Sequence, residues 1–164
     1  MLSSGCNSSD RTAATTTTAV AADPAKVARL AAGVGVSAVL PTGQQECLLH
    51  RLAAGLGDAG METLSRPSPP LAALSAADAA TFDAAVRACV QQSSLTASLV
   101  GALQASHIKA DDAACLAYEL EKRHGVVELY RMVLGADAEP TGKLSDEMYR
   151  AATDCKVFLP GSGL

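Results

Sequence analysis

Aromatic residues are scarce in this sequence: they make up 3%, with two Phe, three Tyr and no Trp. Alanine supplies much of the 49% hydrophobic content, and β-branched runs are few. Alanine is the best helix former, whereas strands draw on aromatic and β-branched residues. The composition therefore points to an all-α chain. Its core is thin, because alanine allows close helix approach but removes little area from water, at roughly 25 cal/mol per Å². No run approaches the 18 or so apolar residues of a membrane span, so no membrane association is expected. A basic surplus is missing too: 13 Lys and Arg face 17 Asp and Glu, for a formal charge of −4. Phosphate contacts dominate nucleic-acid affinity, so this balance weighs against a stand-alone nucleic-acid binder.

The five cysteines, Cys6, Cys47, Cys89, Cys115 and Cys155, are odd in number, far apart and contain no C-x-x-C pair. Zinc sites and disulfide frameworks favour closer, paired spacing, so free thiols in a reducing compartment are expected and no metal is. The histidines His50, His107 and His124 are scattered, and no Gly-rich phosphate loop, H-E-x-x-H or G-x-S-x-G occurs. A nucleophile needs a base and an orienting group within reach. No catalytic residue, cofactor or small-molecule substrate is indicated.

What is present is helical punctuation. Residues 1–23 form a Ser/Thr/Ala-rich leader, expected to be disordered and compatible with an organelle transit peptide despite the single Arg11. Pro24 opens a helix with Asp23 as its cap. Thr42 with Gln45, and Ser75 with Asp78, have the spacing of capping boxes. The segment 65–75 carries Pro67, Pro69 and Pro70 and reads as a linker between helices in 24–64 and helical repeats in 76–159, with a tail at 160–164. Glu119, Glu121, Lys122, Arg123, His124, Glu128 and Arg131 form a mixed-charge stretch that reads as a solvated turn.

A recurrence runs through these helices. PTGQQECLLHRLAAG from Pro41 and PTGKLSDEMYRAATD from Pro140 share their opening tripeptide and an arginine ten residues on, Arg51 and Arg150. The offset of 99 equals three units of 33, and starts at 41, 77, 110 and 140 add Arg87 to the same column. A lone helix pair this size cannot bury its apolar faces, whereas stacked pairs can. The expected architecture is a short α-solenoid of stacked antiparallel helix hairpins.

The unit TFDAAVRACVQQSSLTASLVGALQASHIKAD, from Thr81 to Asp111, resembles a pentatricopeptide repeat through Thr81, Phe82, Asp83, Val86, Leu95, Leu99 and the closing Ile108 to Asp111. The resemblance covers roughly residues 77 to 155 and reaches 41–64 through the Pro41 unit. It implies single-stranded RNA binding in a chloroplast or mitochondrion. By that resemblance the base-reading residues are Cys47, Asp83, Leu116 and Asp146, early in the first helices. Asp78, Asp111 and Thr141 are their counterparts just before the following repeat.

Residue chemistry gives a second reading. An ionised Asp only accepts hydrogen bonds and repels phosphates, and aromatics for base stacking are nearly absent. The arginine column of Arg51, Arg87 and Arg150 could track a phosphate backbone. Yet Asp83–Arg87 and Asp146–Arg150 also have the spacing of acid-first surface pairs on one helix face. Asp78, Asp111 and Thr141 suit helix capping without any ligand. The expected partner is thus single-stranded RNA or, alternatively, a protein bound without base reading.

Overall fold

The computed structural model describes residues 22–33, 40–66, 69–135 and 143–158. The leader up to residue 21, Cys6, Pro67, Thr141 and the tail lie outside them. Eight α-helices occupy the described residues: α1 (Pro24–Gly33), α2 (Thr42–Gly55), α3 (Asp58–Leu64), α4 (Ala76–Cys89), α5 (Gln92–Ala105), α6 (Ala110–Arg123), α7 (Val126–Gly135) and α8 (Lys143–Cys155). A single 3₁₀ turn spans Leu71–Ala73, and no strand occurs among the described residues. None of these helices is long and apolar enough to cross a membrane. The chain is all-α.

The helix starts carry a tighter period than the sequence motifs do. Helices α1, α3, α5 and α7 begin at residues 24, 58, 92 and 126, each 34 apart, and α2, α4, α6 and α8 begin at 42, 76, 110 and 143. The links after α2, α4 and α6 are two residues long: Leu56-Gly57, Val90-Gln91 and His124-Gly125. Leu56, Val90 and His124 all have extended backbones, with ψ of 141°, 121° and 134°. Extended residues carry the chain around a corner instead of reversing it. Consequently the helices on either side of a link share little face, and the extensive contacts between consecutive helices are those of α1 with α2 and of α5 with α6.

The packing repeats instead over twice that period. Helix α1 packs on α2 as α5 packs on α6, α2 packs on α4 as α6 packs on α8, and α1 touches α3 as α5 touches α7. A one-pair translation would also lay α4 along α6, and these two share no extensive face. The molecule is therefore two similar four-helix units, α1–α4 and α5–α8, joined where α4 packs on α7. Buried positions follow the same alignment. Leu48, Leu52, Met61 and Leu64 in the first unit correspond to Leu116, Leu120, Leu129 and Met132 in the second, all buried. One contiguous apolar core runs through both.

Each unit is stapled at the same place. Cys47, the sixth residue of α2, is bonded to Cys89, the last of α4. Cys115, the sixth residue of α6, is bonded to Cys155, the last of α8. The expectation of free thiols is overturned for these four. Sequence spacing gives no hint of pairs 42 and 40 residues apart, whereas packing α2 on α4 and α6 on α8 brings the Cα atoms to 5.6 and 5.9 Å. That is within the range a disulfide spans.

Local signals were met unevenly. Asp23 caps α1, accepting from the Ala25 N–H at 2.9 Å. Ser75 caps α4, accepting from the Asp78 N–H. The Thr42–Gln45 box does not form, since Pro41 is the cap of α2 and makes no side-chain cap bond. The neighbouring Gln44 reaches across instead, donating to the Ser94 hydroxyl and accepting from the Gln91 N–H. The proline-rich segment lies inside the first disulfide loop, with Pro69 buried and Leu71 and Leu74 packed on the core, so it does not divide two cores.

Candidate functional site

Three polar or aromatic clusters interrupt the apolar packing. The first sits at the link between α2 and α3. Asp78, on the first turn of α4, is buried, and its Oδ1 accepts the Gly57 N–H at 2.9 Å while Oδ2 accepts the Ser75 hydroxyl at 2.7 Å. Those two bonds, the hydroxyl first and the backbone N–H second, hold its carboxyl below the usual carboxylate range. Gly60 makes the approach possible, because a Cβ there would lie 2.6 Å from Asp78 Cγ. This is a structural tie between α4 and the α2–α3 link. Asp78 is accounted for without a base.

The second cluster is the joint between the units. The Phe82 and Tyr130 rings stack with centroids 6.1 Å apart, and the Arg131 guanidinium lies over the Phe82 ring, 5.6 Å from its centroid. Arg131 also donates to Asp83 Oδ1 through Nε at 2.9 Å and through a terminal nitrogen at 2.6 Å. Tyr130 is fully buried and its hydroxyl has no hydrogen-bond partner among the described residues. Burial alone pushes its pKa far above the ordinary phenol value, so it stays protonated. An aromatic pair with a guanidinium over it and a charge-assisted bond beside it fixes the angle between two helices.

The third cluster spans α6 and α8. Glu147 on α8 meets His124 Nε2 at 3.1 Å, Arg150 at 2.8 Å and Arg123 at 3.8 Å. Arg123 also pairs with Glu119 and with Asp154, and His124 Nδ1 lies 3.4 Å from Glu128. His124 and Glu147 have side-chain exposures of only 12% and 14%. The hydrogen bond from His124 is the largest reason that Glu147 is held below the usual carboxylate range, with the nearby arginines adding to it. The sequence expectation of a simple solvated turn fails here, since α8 folds over the end of α6 and covers it. An open cleft on this face is lined by Arg123, Glu147, Arg150, Thr153 and Asp154. Its two cations already face two acids, so it presents no net field to an anion. Among the described residues no group of three His, Cys, Asp or Glu is placed to hold a metal ion.

The positions implied by the pentatricopeptide resemblance are not brought together. Cys47 is consumed in its disulfide and Leu116 is fully buried in the core, so neither presents a group to a base. Asp83 is paired with Arg131 across the joint, not with Arg87, because α7 packs on that side of α4. Asp111 lies exposed in the first turn of α6, whose cap is Lys109, so it favours the helix N-terminus without capping it. Asp146 is exposed, and its expected partner Arg150 bonds Glu147 instead. Arg51 and Arg87 are exposed and make no ion pair among the described residues. Sequence reading missed both disulfides and the Arg131–Asp83 bond, and the one available signal was the matching placement of Cys47 and Cys115, each seven residues after Leu40 and Ile108 respectively. No family model matches this chain, and neither does any curated protein or solved structure.

Proposed function

We propose that this chain is a disulfide-stapled helical module that binds a protein partner and does not read RNA bases. The observation that carries this reading is the fate of the would-be reading positions: Cys47 is in a disulfide, Leu116 is in the core, and Asp78 and Asp83 are committed to internal bonds. A base-reading array needs those side chains free on one groove. The net charge of −4 agrees, as it adds no attraction for phosphate. We further propose that it works in an oxidising compartment, because structural disulfides persist there and are rare where thiols are kept reduced.

The test is direct. Filter binding of the full chain to mixed-sequence single-stranded RNA is expected to show no retention even at low salt, and retention that falls as salt rises would overturn the reading. A pull-down from the source extract after nuclease treatment is expected to keep a protein partner. Thiol alkylation of protein isolated without reductant is expected to leave Cys47, Cys89, Cys115 and Cys155 unlabelled.

A further inference from the structure

The two staples close loops of nearly equal length, 42 and 40 residues, so they restrain the unfolded chain alike. What differs is the grip that each unit keeps without its bond. Helix α4 buries Phe82, Ala85, Val86 and Cys89, and it packs on both α2 and α7. Asp78 ties its first turn to Gly57, and Asp83 bonds Arg131 of α7. At its other end Gln44 of α2 accepts the Gln91 N–H, two residues beyond Cys89.

Helix α8 is placed in the same way but held by less. Among the residues whose burial is described, it fully buries only Ala151 and Ala152, with Met148 and Cys155 half-buried on the core. Alanine removes little apolar area from water, so these contacts stabilise α8 far less than a buried Phe and Val stabilise α4. Its polar ties to α6 converge on the end of that helix: Glu147 meets His124 and Arg123, and Asp154 meets Arg123. Arg150 pairs within α8 and ties nothing across. Asp154 is 56% exposed, where solvent screens a pair to a small contribution. The two bonds also differ in cover. Cys115 and Cys155 are both partly exposed, whereas in the first pair Cys47 is partly exposed and Cys89 is buried.

We infer that the Cys115–Cys155 bond is a redox latch: a dithiol reductant opens it ahead of Cys47–Cys89, and its opening frees α8 from α6 while the other helices stay folded. The step is thiol–disulfide exchange. One thiolate of the dithiol attacks the sulfur of Cys155 or Cys115, the S–S bond breaks, and the departing cysteine leaves as a thiolate that takes up a proton. The second thiol of the reductant loses its proton and attacks the reductant's own sulfur in the mixed disulfide. That closes a ring on the reductant and releases the other cysteine, which is protonated in turn. The protein bond gains two electrons and two protons, and the dithiol loses them. Attack needs a reachable sulfur, and a helix held by few buried contacts supplies one by opening locally. Helix α4, clasped by α2 and α7, does not open in this way. The side of α6 that carries Cys115 and Arg123 is thus covered by α8 only while the latch is oxidised.

The latch rests on the stapled reading and not on the choice of partner, and the two fail separately. The full oxidised chain is treated with graded dithiothreitol, quenched by alkylation at set times and mapped by peptide mass spectrometry, with amide hydrogen exchange followed in parallel. Cys115 and Cys155 are expected to label at least about tenfold faster than Cys47 and Cys89. Where only those two are labelled, amides of α8 should lose protection at least about tenfold, while those of α2 and α4 keep theirs. The double variant Cys115→Ser with Cys155→Ser, its first staple intact, should show the same loss without reductant. Cys47→Ser with Cys89→Ser should leave α4 at least about tenfold better protected than α8 is in that variant. Reduction of both bonds at one rate, or of Cys47–Cys89 first, overturns the latch. So does an α8 that stays protected once its staple is gone, or a loss of protection that spreads through all helices. Cysteines that label before any reductant is added would overturn the staples and the latch together. RNA retention at low salt would overturn the protein-partner reading and leave these results as they stand.

Discussion

In the first unit, the Leu56-Gly57 link between the second and third helices is held by Asp78, a buried acid that accepts a backbone N–H. In the second unit, the equivalent His124-Gly125 link is held by Glu147, an acid that meets the histidine side chain and two arginines. Both acids come from the fourth helix of their unit. Both links have the same extended first residue and the same length. The demand is topological: a two-residue corner leaves the third helix free to swing unless the fourth helix pins it. The chemistry that meets it is not fixed. One unit uses a small residue, Gly60, to admit a carboxylate to the backbone, while the other places Glu128 at that position, beside a charge network that α8 covers. The first solution depends on close packing and the second on a largely covered network of charges.

Removing the staples gives the largest expected effect and tests whether the units are equivalent. Loops closed by bonds 42 and 40 residues apart are each worth about 4 kcal/mol in the chain-entropy account. Cys47→Ser with Cys89→Ser, and Cys115→Ser with Cys155→Ser, should lower unfolding free energy by similar amounts in urea titration. Losses that differ several-fold would break the equivalence.

Truncating the joint comes next. Phe82→Ala deletes a buried ring stacked on Tyr130 and should cost about 3–5 kcal/mol. The corresponding Met148→Ala, at a partly exposed position, should cost clearly less in dilute solution, which thermal unfolding of the two variants will compare.

Gly60→Ala sharpens the contrast between the links. A methyl group there would collide with Asp78, and overpacking of this kind costs about 1–3 kcal/mol. At the equivalent position Glu128→Ala should change stability by less than about 1 kcal/mol, because that side chain is 53% exposed. Equal effects in chemical denaturation would mean that the two links are held alike.

Acid should weaken both units. Asp78 and Glu147 are held below the usual carboxylate range in the folded chain, so the unfolded chain binds their protons first as pH falls. Their contribution is complete above the ordinary carboxylate pKa of about 4 and is lost as pH drops through their folded values. Urea midpoints measured between neutral pH and about pH 3 should fall, and Asp78→Asn should flatten that fall. Smallest of all, Arg66→Ala breaks an exposed pair with Glu62 and should shift stability by less than about 0.5 kcal/mol.

Much of this was legible in residue order. Alanine content, helix-start signals such as Asp23-Pro24 and Ser75 with Asp78, and apolar spacing determine an all-α chain of short helices. The repeat was legible as well, though the motif starts at 41, 77, 110 and 140 blurred a helix spacing of 34. These are local properties, set by propensity, capping and periodicity within a few residues of chain. Only the tertiary structure decided that the repeat packs as two stapled four-helix units, that Cys47 meets Cys89 and Cys115 meets Cys155, and that Asp83 turns to Arg131 instead of Arg87. Each of those outcomes depends on which helix lies beside which. An i, i+4 acid–base pair, or a lone cysteine on an apolar face, carries no record of the neighbour that packing will bring against it.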